Sequence, residues 1–274
     1  MLRLIGLLTA LLALAGQAQA QQAMPADQPG DAYALELRVR TESRSTDGSS
    51  STSNSGGALV ERVVALHPEG LELEFDLPAD ATADDRAREW QWPVRVLWSA
   101  TVPPRLLNAS ELEERLDVWL QVGEIPREAC GRWFFSWTAF KIECDPNTVL
   151  ETLTAYDLRS LPESTTFKLV STTGASTVFE REIDPEEVRK EKAEADTVVA
   201  EITGGAPLTF EEALAARASE QISGVETLTR ETDAEGRSIR QVRTFRWKVE
   251  TADGAVEEST TTQTLTRTPI HAPR

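Results

Sequence analysis

Apolar and polar residues alternate from Tyr33 to Arg40, with Tyr33, Leu35, Leu37 and Val39 on one side and Glu36, Arg38 and Arg40 on the other. A period of two puts every second side chain on the same face, so this stretch predicts a half-buried strand. Ala58 to Leu66 predicts the next strand, His67-Pro68-Glu69-Gly70 a turn, and Leu71, Leu73 and Phe75 a third strand. Trp90 to Ala100 predicts a fourth, with Pro93 marking an edge or a bulge. Two stretches lack any apolar period. Ser43 to Gly57 holds seven serines and no large apolar residue, which predicts a mobile loop. Pro78 to Arg88 is acidic and small and predicts another loop.

The period then lengthens. Leu112, Leu116, Trp119 and Leu120 recur at helical spacing behind Ser110-Glu111-Leu112-Glu113, which has the form of a capping box. Asp145-Pro146 predicts the start of a second helix, with Val149, Leu150, Leu153 and Tyr156 as its buried face. Phe167 to Ser171 and Ser176 to Ile183 predict a hairpin turning at Thr173-Gly174. Asp184-Pro185 opens a charged helix that Gly204-Gly205 would close, and Thr209-Phe210-Glu211-Glu212 caps a further helix running to about Gln221. The chain ends as it began. Val225 to Thr232, Ser238 to Thr251 and Val256 to Thr268 predict three strands joined by Asp-Ala-Glu-Gly and Ala-Asp-Gly turns.

Strands at both ends and helices between them predict an α+β fold: a curved, mainly antiparallel sheet built from N- and C-terminal meanders, with the middle helices on one face. Residues 32–270 read as a single domain, because no stretch within them has the composition of an interdomain linker. Two β-rich halves around a helical middle are the alternative.

The first 31 residues stand apart from this pattern. Arg3 precedes an apolar run from Leu4 to Ala15, and Ala18-Gln19-Ala20 follows. Positive charge, short apolar run and small residues in that order predict a cleavable secretory signal peptide over residues 1–20, cut after Ala20. The run is shorter than the ~20 residues of a membrane-spanning helix, and no cysteine near the cut is available for a lipid. Residues 21–31, polar and with two prolines, predict a flexible lead. The expected location is periplasmic or extracellular.

Export changes the reading of Cys130 and Cys144, the two cysteines of the chain. In an oxidising compartment they predict a disulfide. The segment between them fits a helix (Trp133, Trp137, Phe140) or a strand (Trp133, Phe135, Trp137). A continuous helix would hold their Cα atoms about 21 Å apart, and a bridge needs them within about 7 Å. The bridge therefore demands a chain reversal near Trp137 to Ala139.

Charge and composition remove several functions. Of 274 residues, 45 are acidic and 28 basic, a net charge of −17. That balance argues against nucleic acid and anionic membrane surfaces as partners. There is no G-x-S-x-G, P-loop, G-x-G-x-x-G, H-E-x-x-H or calcium-loop motif, and the two histidines are His67, in a turn, and His271, near the end. Asp80, Asp84 and Asp85 read as a solvated loop, and Asn108-Ala109-Ser110 as a helix cap in place of a glycosylation acceptor. No catalytic residue, cofactor site or metal site is expected. An acid-only hydrolase has no carboxylate pair that stands out among 45 acids.

One compositional feature points toward function. Nine aromatic residues, among them six of the seven tryptophans, lie between Trp90 and Phe140. Trp90, Trp92 and Trp98 share strand parity. Together with Trp133 and Trp137 they form either a tryptophan-rich core or a pocket for an apolar or sugar ligand. The functional expectation is a non-enzymatic exported binding or carrier domain with an apolar ligand. The alternative is a structural or assembly protein of the cell envelope that acts through another envelope protein.

Overall fold

The computed structural model describes residues 27–99, 102–135, 139–160, 166–204 and 206–270. The expected signal peptide with its cleavage point Ala20, and Trp137 and His271, lie outside the described residues.

The N-terminal meander consists of β1 (Ala32–Ser45), β2 (Ser50–His67), β3 (Gly70–Asp76), β4 (Val94–Trp98) and β5 (Arg105–Leu106), with the short helix α1 (Ala83–Arg88) between β3 and β4. Helix α2 (Ala109–Val122), the hairpin β6 (Trp133–Phe135) and β7 (Ala139–Lys141), and helix α3 (Thr148–Thr154) follow. Then come β8 (Lys168–Thr173), β9 (Ser176–Glu182), α4 (Pro185–Thr203), α5 (Phe210–Ala216), β10 (Gln221–Thr232), β11 (Ser238–Glu250) and β12 (Val256–Pro269). The two meanders form one ten-stranded antiparallel sheet in the order β5-β4-β3-β2-β1-β12-β11-β10-β9-β8, joined where the first strand pairs with the last. The expected α+β architecture, a large curved sheet with helices from the middle of the chain, is the one observed.

Register decides which face carries the core. Leu35 lies opposite Leu59 of β2, and Leu37 lies opposite Leu265 of β12. These residues pack with Leu73, Phe75, Val94 and Val96 against Leu112, Leu116 and Leu120 of α2 and Val149 and Leu153 of α3. Each such side chain contributes about 1.5–3 kcal/mol when fully buried. Two-residue steps along β11 put Val249 on the same face as Gln241, which lies opposite Leu265. There Val249 joins Ile183 and Val188 of α4 in a second, smaller cluster, with Phe245 and Trp247 packed against it. Both helix groups therefore cover one face of the sheet. Between them the floor turns polar, and Thr41 bonds Thr261 (3.0 Å) and Ser43 bonds Ser259 (3.2 Å) across the central strand pair.

Several local expectations need correction. The serine-rich stretch is not a loop: Ser50 to Gly57 is strand, hydrogen-bonded in register to Arg44 through Leu37, and only residues 46–49 turn. Its support comes from β1, which sits in the middle of the sheet, so no apolar period is needed in its own sequence. Residues 83–88, expected as loop, form α1 through a Thr82–Asp85 capping box. Helix α2 starts one residue after Asn108, and Ser110 caps nothing. Asn108 is instead buried and accepts the Arg95 amide (2.9 Å), tying the helix start to β4. Asp145 forms a turn that accepts Asn147 N–H, and α3 begins at Thr148. Helix α5 stops at Ala216, short of the expected Gln221, which already belongs to β10.

Other local signals stand as read. Asp184 caps α4, Gly204 ends it in the left-handed region (φ 64°), and Thr209 and Glu212 form the expected capping box. Cys130 and Cys144 are bridged with Cα atoms 5.5 Å apart. The required reversal is the β6–β7 hairpin, in which Trp133 lies opposite Lys141.

Residues 21–31, expected as a flexible lead, are described from Asp27 onward, and there the chain is held. Asp27 is buried and accepts from Arg159 and Arg267, both at 2.8 Å. The same two guanidiniums grip Glu61, whose side chain is fully buried. Burial alone would raise both carboxyls, but the two arginines outweigh it and hold Glu61 and Asp27 below their ordinary values. Tyr33 donates to Asp27 (3.0 Å) under the Arg267 guanidinium, and burial pushes its hydroxyl up to about 12.

Candidate functional site

Of the tryptophans expected to act together, Trp90, Trp92 and Trp98 are all buried and belong to the main core. Strand β4 begins only at Val94, so Trp90 and Trp92 precede it, in a turn that ends with a cis Trp92–Pro93 bond. Trp98, on β4 itself, is buried in the main core with Val94 and Val96. Trp133 sits on the disulfide-closed hairpin, where its backbone N–H approaches Glu201 of α4 (3.3 Å). Trp137 lies outside the described residues.

Trp90 and Trp92, buried in that core, also border the outer side of α2. The inward stripe of that helix, Leu112, Leu116 and Leu120, is fully used by the core. Trp119, one position off the stripe, packs only partly against the core. Val118 and Val122, one turn apart, are 59% and 78% exposed. These three residues and Trp90, Trp92 and Pro93 line a groove of about 590 Å³. That volume falls within the ~300–1,000 Å³ of small-ligand sites. Trp90 and Trp119 also border a smaller hollow of about 210 Å³ against Phe140 and Ile142 of the disulfide region. The groove thus continues along the tryptophans toward the hairpin.

The rim is charged. Arg115 bridges turn and helix, donating to the Pro93 carbonyl (2.5 Å) and the Glu111 carbonyl (3.3 Å), and burial pulls its pKa below the usual arginine value. Arg86 and Glu114 complete the edge. Trp92 also faces a second hollow, of about 550 Å³, with Tyr156 and Glu89. Its floor is Gly57, where a β-carbon would come within 2.6 Å of the Tyr156 hydroxyl, so the absence of a side chain lets the ring lie over the sheet.

The residues that sequence reading missed are Val118, Val122 and, as a pocket residue, Trp119. Their signal was present: Val118 and Val122 fall on the helix face that the stripe of Leu112, Leu116, Trp119 and Leu120 leaves outside. His67 Nε2 lies 2.9 Å from Glu72, which Arg95 also holds, and Asp85 serves the α1 cap. Among the described residues no group of His, Cys, Asp and Glu is arranged to hold a metal, and no helix is long and apolar enough to cross a membrane.

No family model matches the chain, and neither does any curated protein. Among solved structures the chain is similar to lipovitellin, from a structure of lipid–protein interactions, with TM-score 0.38 and 9% identity. That likeness covers 90% of this chain and 26% of the other, so the chain spans about a quarter of that protein's length. It is also similar to a LolA superfamily protein from Nitrosomonas europaea, with TM-score 0.17 and 10% identity over 90% and 89% of the two chains. At these TM-scores neither likeness carries weight for function.

Proposed function

We propose that this chain is an exported, non-enzymatic binding protein that carries an apolar ligand in the groove between Trp90, Trp92 and α2. The observation that carries the reading is the groove itself. Val118 and Val122 stand exposed beside the half-buried Trp119 and the edges of the buried Trp90 and Trp92, around one concave surface, and concave, largely apolar surfaces of this kind hold ligands. Export rests on the leader pattern and is supported by the Cys130–Cys144 bridge, since disulfides persist in oxidising compartments. Periplasm or extracellular space follows as the location.

A neutral apolar fluorophore, N-phenyl-1-naphthylamine, tests the reading. The wild-type chain is expected to bind it with a change in tryptophan emission, and Val118→Glu is expected to weaken binding at least about tenfold. A charge at that exposed position leaves the fold intact and spoils only the apolar surface. Absence of binding, or equal binding by V118E, rules the groove out. A second reading, assembly within the envelope, is favoured by the edge strand β8, where Leu169 and Val170 are 63% and 57% exposed. Concentration-dependent association that Leu169→Lys abolishes would support it.

A further inference from the structure

The hollow of about 550 Å³ beside Trp92 differs in chemistry from the tryptophan groove. It lies between β2, the segment around α1 and the end of α3. Three carboxylates line it, Asp80, Asp85 and Glu89, and among the described residues no basic side chain does. Asp85 is committed to the α1 cap, where it accepts the Thr82 amide (3.0 Å) and hydroxyl (2.7 Å) and meets Arg88 at 3.4 Å. Asp80 and Glu89 are exposed at the rim, and among the described residues neither carboxylate has an ion pair or a hydrogen bond.

An acidic rim is ordinary on a chain with 45 acids. Tyr156 is the residue that sets this hollow apart. It is 8% exposed, and its hydroxyl stands over Gly57 at the floor. Among the described residues that hydroxyl has no hydrogen-bond partner, and it is not sealed off from the hollow. The chain's other tyrosine, Tyr33, donates its hydroxyl to Asp27. Buried tyrosine hydroxyls ordinarily find such a partner, and one without it calls for an explanation. Burial raises the Tyr156 pKa, and Glu89 adds to the shift, so the hydroxyl stays protonated and neutral. Its oxygen is left free to accept a hydrogen bond.

We propose that this hollow binds an organic cation, a protonated amine, with Tyr156 accepting from the ammonium group and Glu89 and Asp80 supplying the opposite charge. The side-chain carbonyl of Gln91 is a further acceptor, and Leu59, Leu77 and Trp92 border the space left for carbon. Among the described residues the acids are not grouped to hold a metal ion, whereas the volume suits a small molecule. The net charge of −17 draws cations toward the chain as a whole. The amine is either a free small molecule or the head of an amphiphile. Only Trp92 is shared with the tryptophan groove, so the assignment stands if that groove binds nothing.

Calorimetric titration of the full mature chain at pH 7 with butylamine, octylamine and uncharged 1-butanol tests it. Both amines are expected to bind the wild type, more weakly as salt rises, and 1-butanol at least about tenfold more weakly than butylamine. Tyr156→Phe removes one oxygen and no existing hydrogen bond. It is expected to keep the wild-type melting temperature and to lose about tenfold in amine affinity, as a hydrogen bond to a charged group implies. Glu89→Gln, at an exposed position, is expected to weaken amine binding too and keeps the test decisive if Y156F does not fold. Tighter binding of octylamine than of butylamine identifies an amphiphile's head, and equal binding identifies a free amine. Failure of both amines to bind the wild type, binding of 1-butanol equal to that of butylamine, or wild-type affinity in E89Q and in any folded Y156F, overturns the proposal.

Discussion

At the scale of single residues, the most consequential side chain is Glu61. It joins the N-terminal Asp27, the Arg159 loop and the last strand through two guanidiniums. Glu61→Gln would leave buried positive charge without its counterpart and is expected to cost about 3–5 kcal/mol in urea denaturation. The same cluster sets a pH dependence. Glu61 and Asp27 have folded pKa values below their unfolded values near 4.5 and 3.8. Depressed acids stabilise fully above the unfolded value, and their contribution disappears as pH falls through the folded one. The urea midpoint is therefore expected to drop between about pH 5 and about pH 3, and to drop less steeply in E61Q. Equal slopes in the two proteins would show that the cluster does not carry the effect. None of this was legible in the sequence. Glu61 reads like any acid on an alternating strand, and its partners lie 98 and 206 positions away.

At the scale of elements, legibility follows how local the cause is. The β10–β11–β12 turns, the Asp184 and Thr209 caps and the Gly204 stop are decided within a few residues, and they were readable. The β2 segment from Ser50 to Gly57 was not, because its stabilisation comes from pairing with β1 and not from its own pattern. Helix α1 carries a Thr-x-x-Asp cap that no apolar run follows, so it blends into its acidic surroundings. The candidate groove was half legible: the aromatic concentration drew attention to Trp90 and Trp92, but only the orientation of α2 brings Trp119, Val118 and Val122 beside them. The β6–β7 hairpin was legible through its cysteines, since a bridge across a separation of 14 forces the chain back on itself. Replacing both cysteines by alanine is expected to lower stability by about 3 kcal/mol in the chain-entropy model. Calorimetric melting would check this, and an unchanged melting temperature would mean that packing alone holds the hairpin.

At the scale of the whole molecule, the defining contact is β1 against β12. A chain truncated before Val256 loses β12 and leaves two long strands, β1 and β11, each with a bare edge inside what was a continuous sheet. Arg267, one of the two guanidiniums on Glu61, goes with it. Such a chain is expected to show no cooperative unfolding by circular dichroism and to aggregate on a sizing column. A soluble, cooperatively melting fragment would show that each meander folds alone.

The β1–β12 pairing also imposes an order on the chain's birth. Strand β1 has as one neighbour β12, with Thr41 facing Thr261, 220 positions on, so its ladder stays incomplete until β12 has been made. Contacts of that sequence separation fold slowly, because the loop-closure entropy must be met before the pairing is formed. A newborn chain therefore keeps that edge of β1 unpaired until β12 emerges. That is the interval in which the waiting edge of β1 needs shielding from other chains.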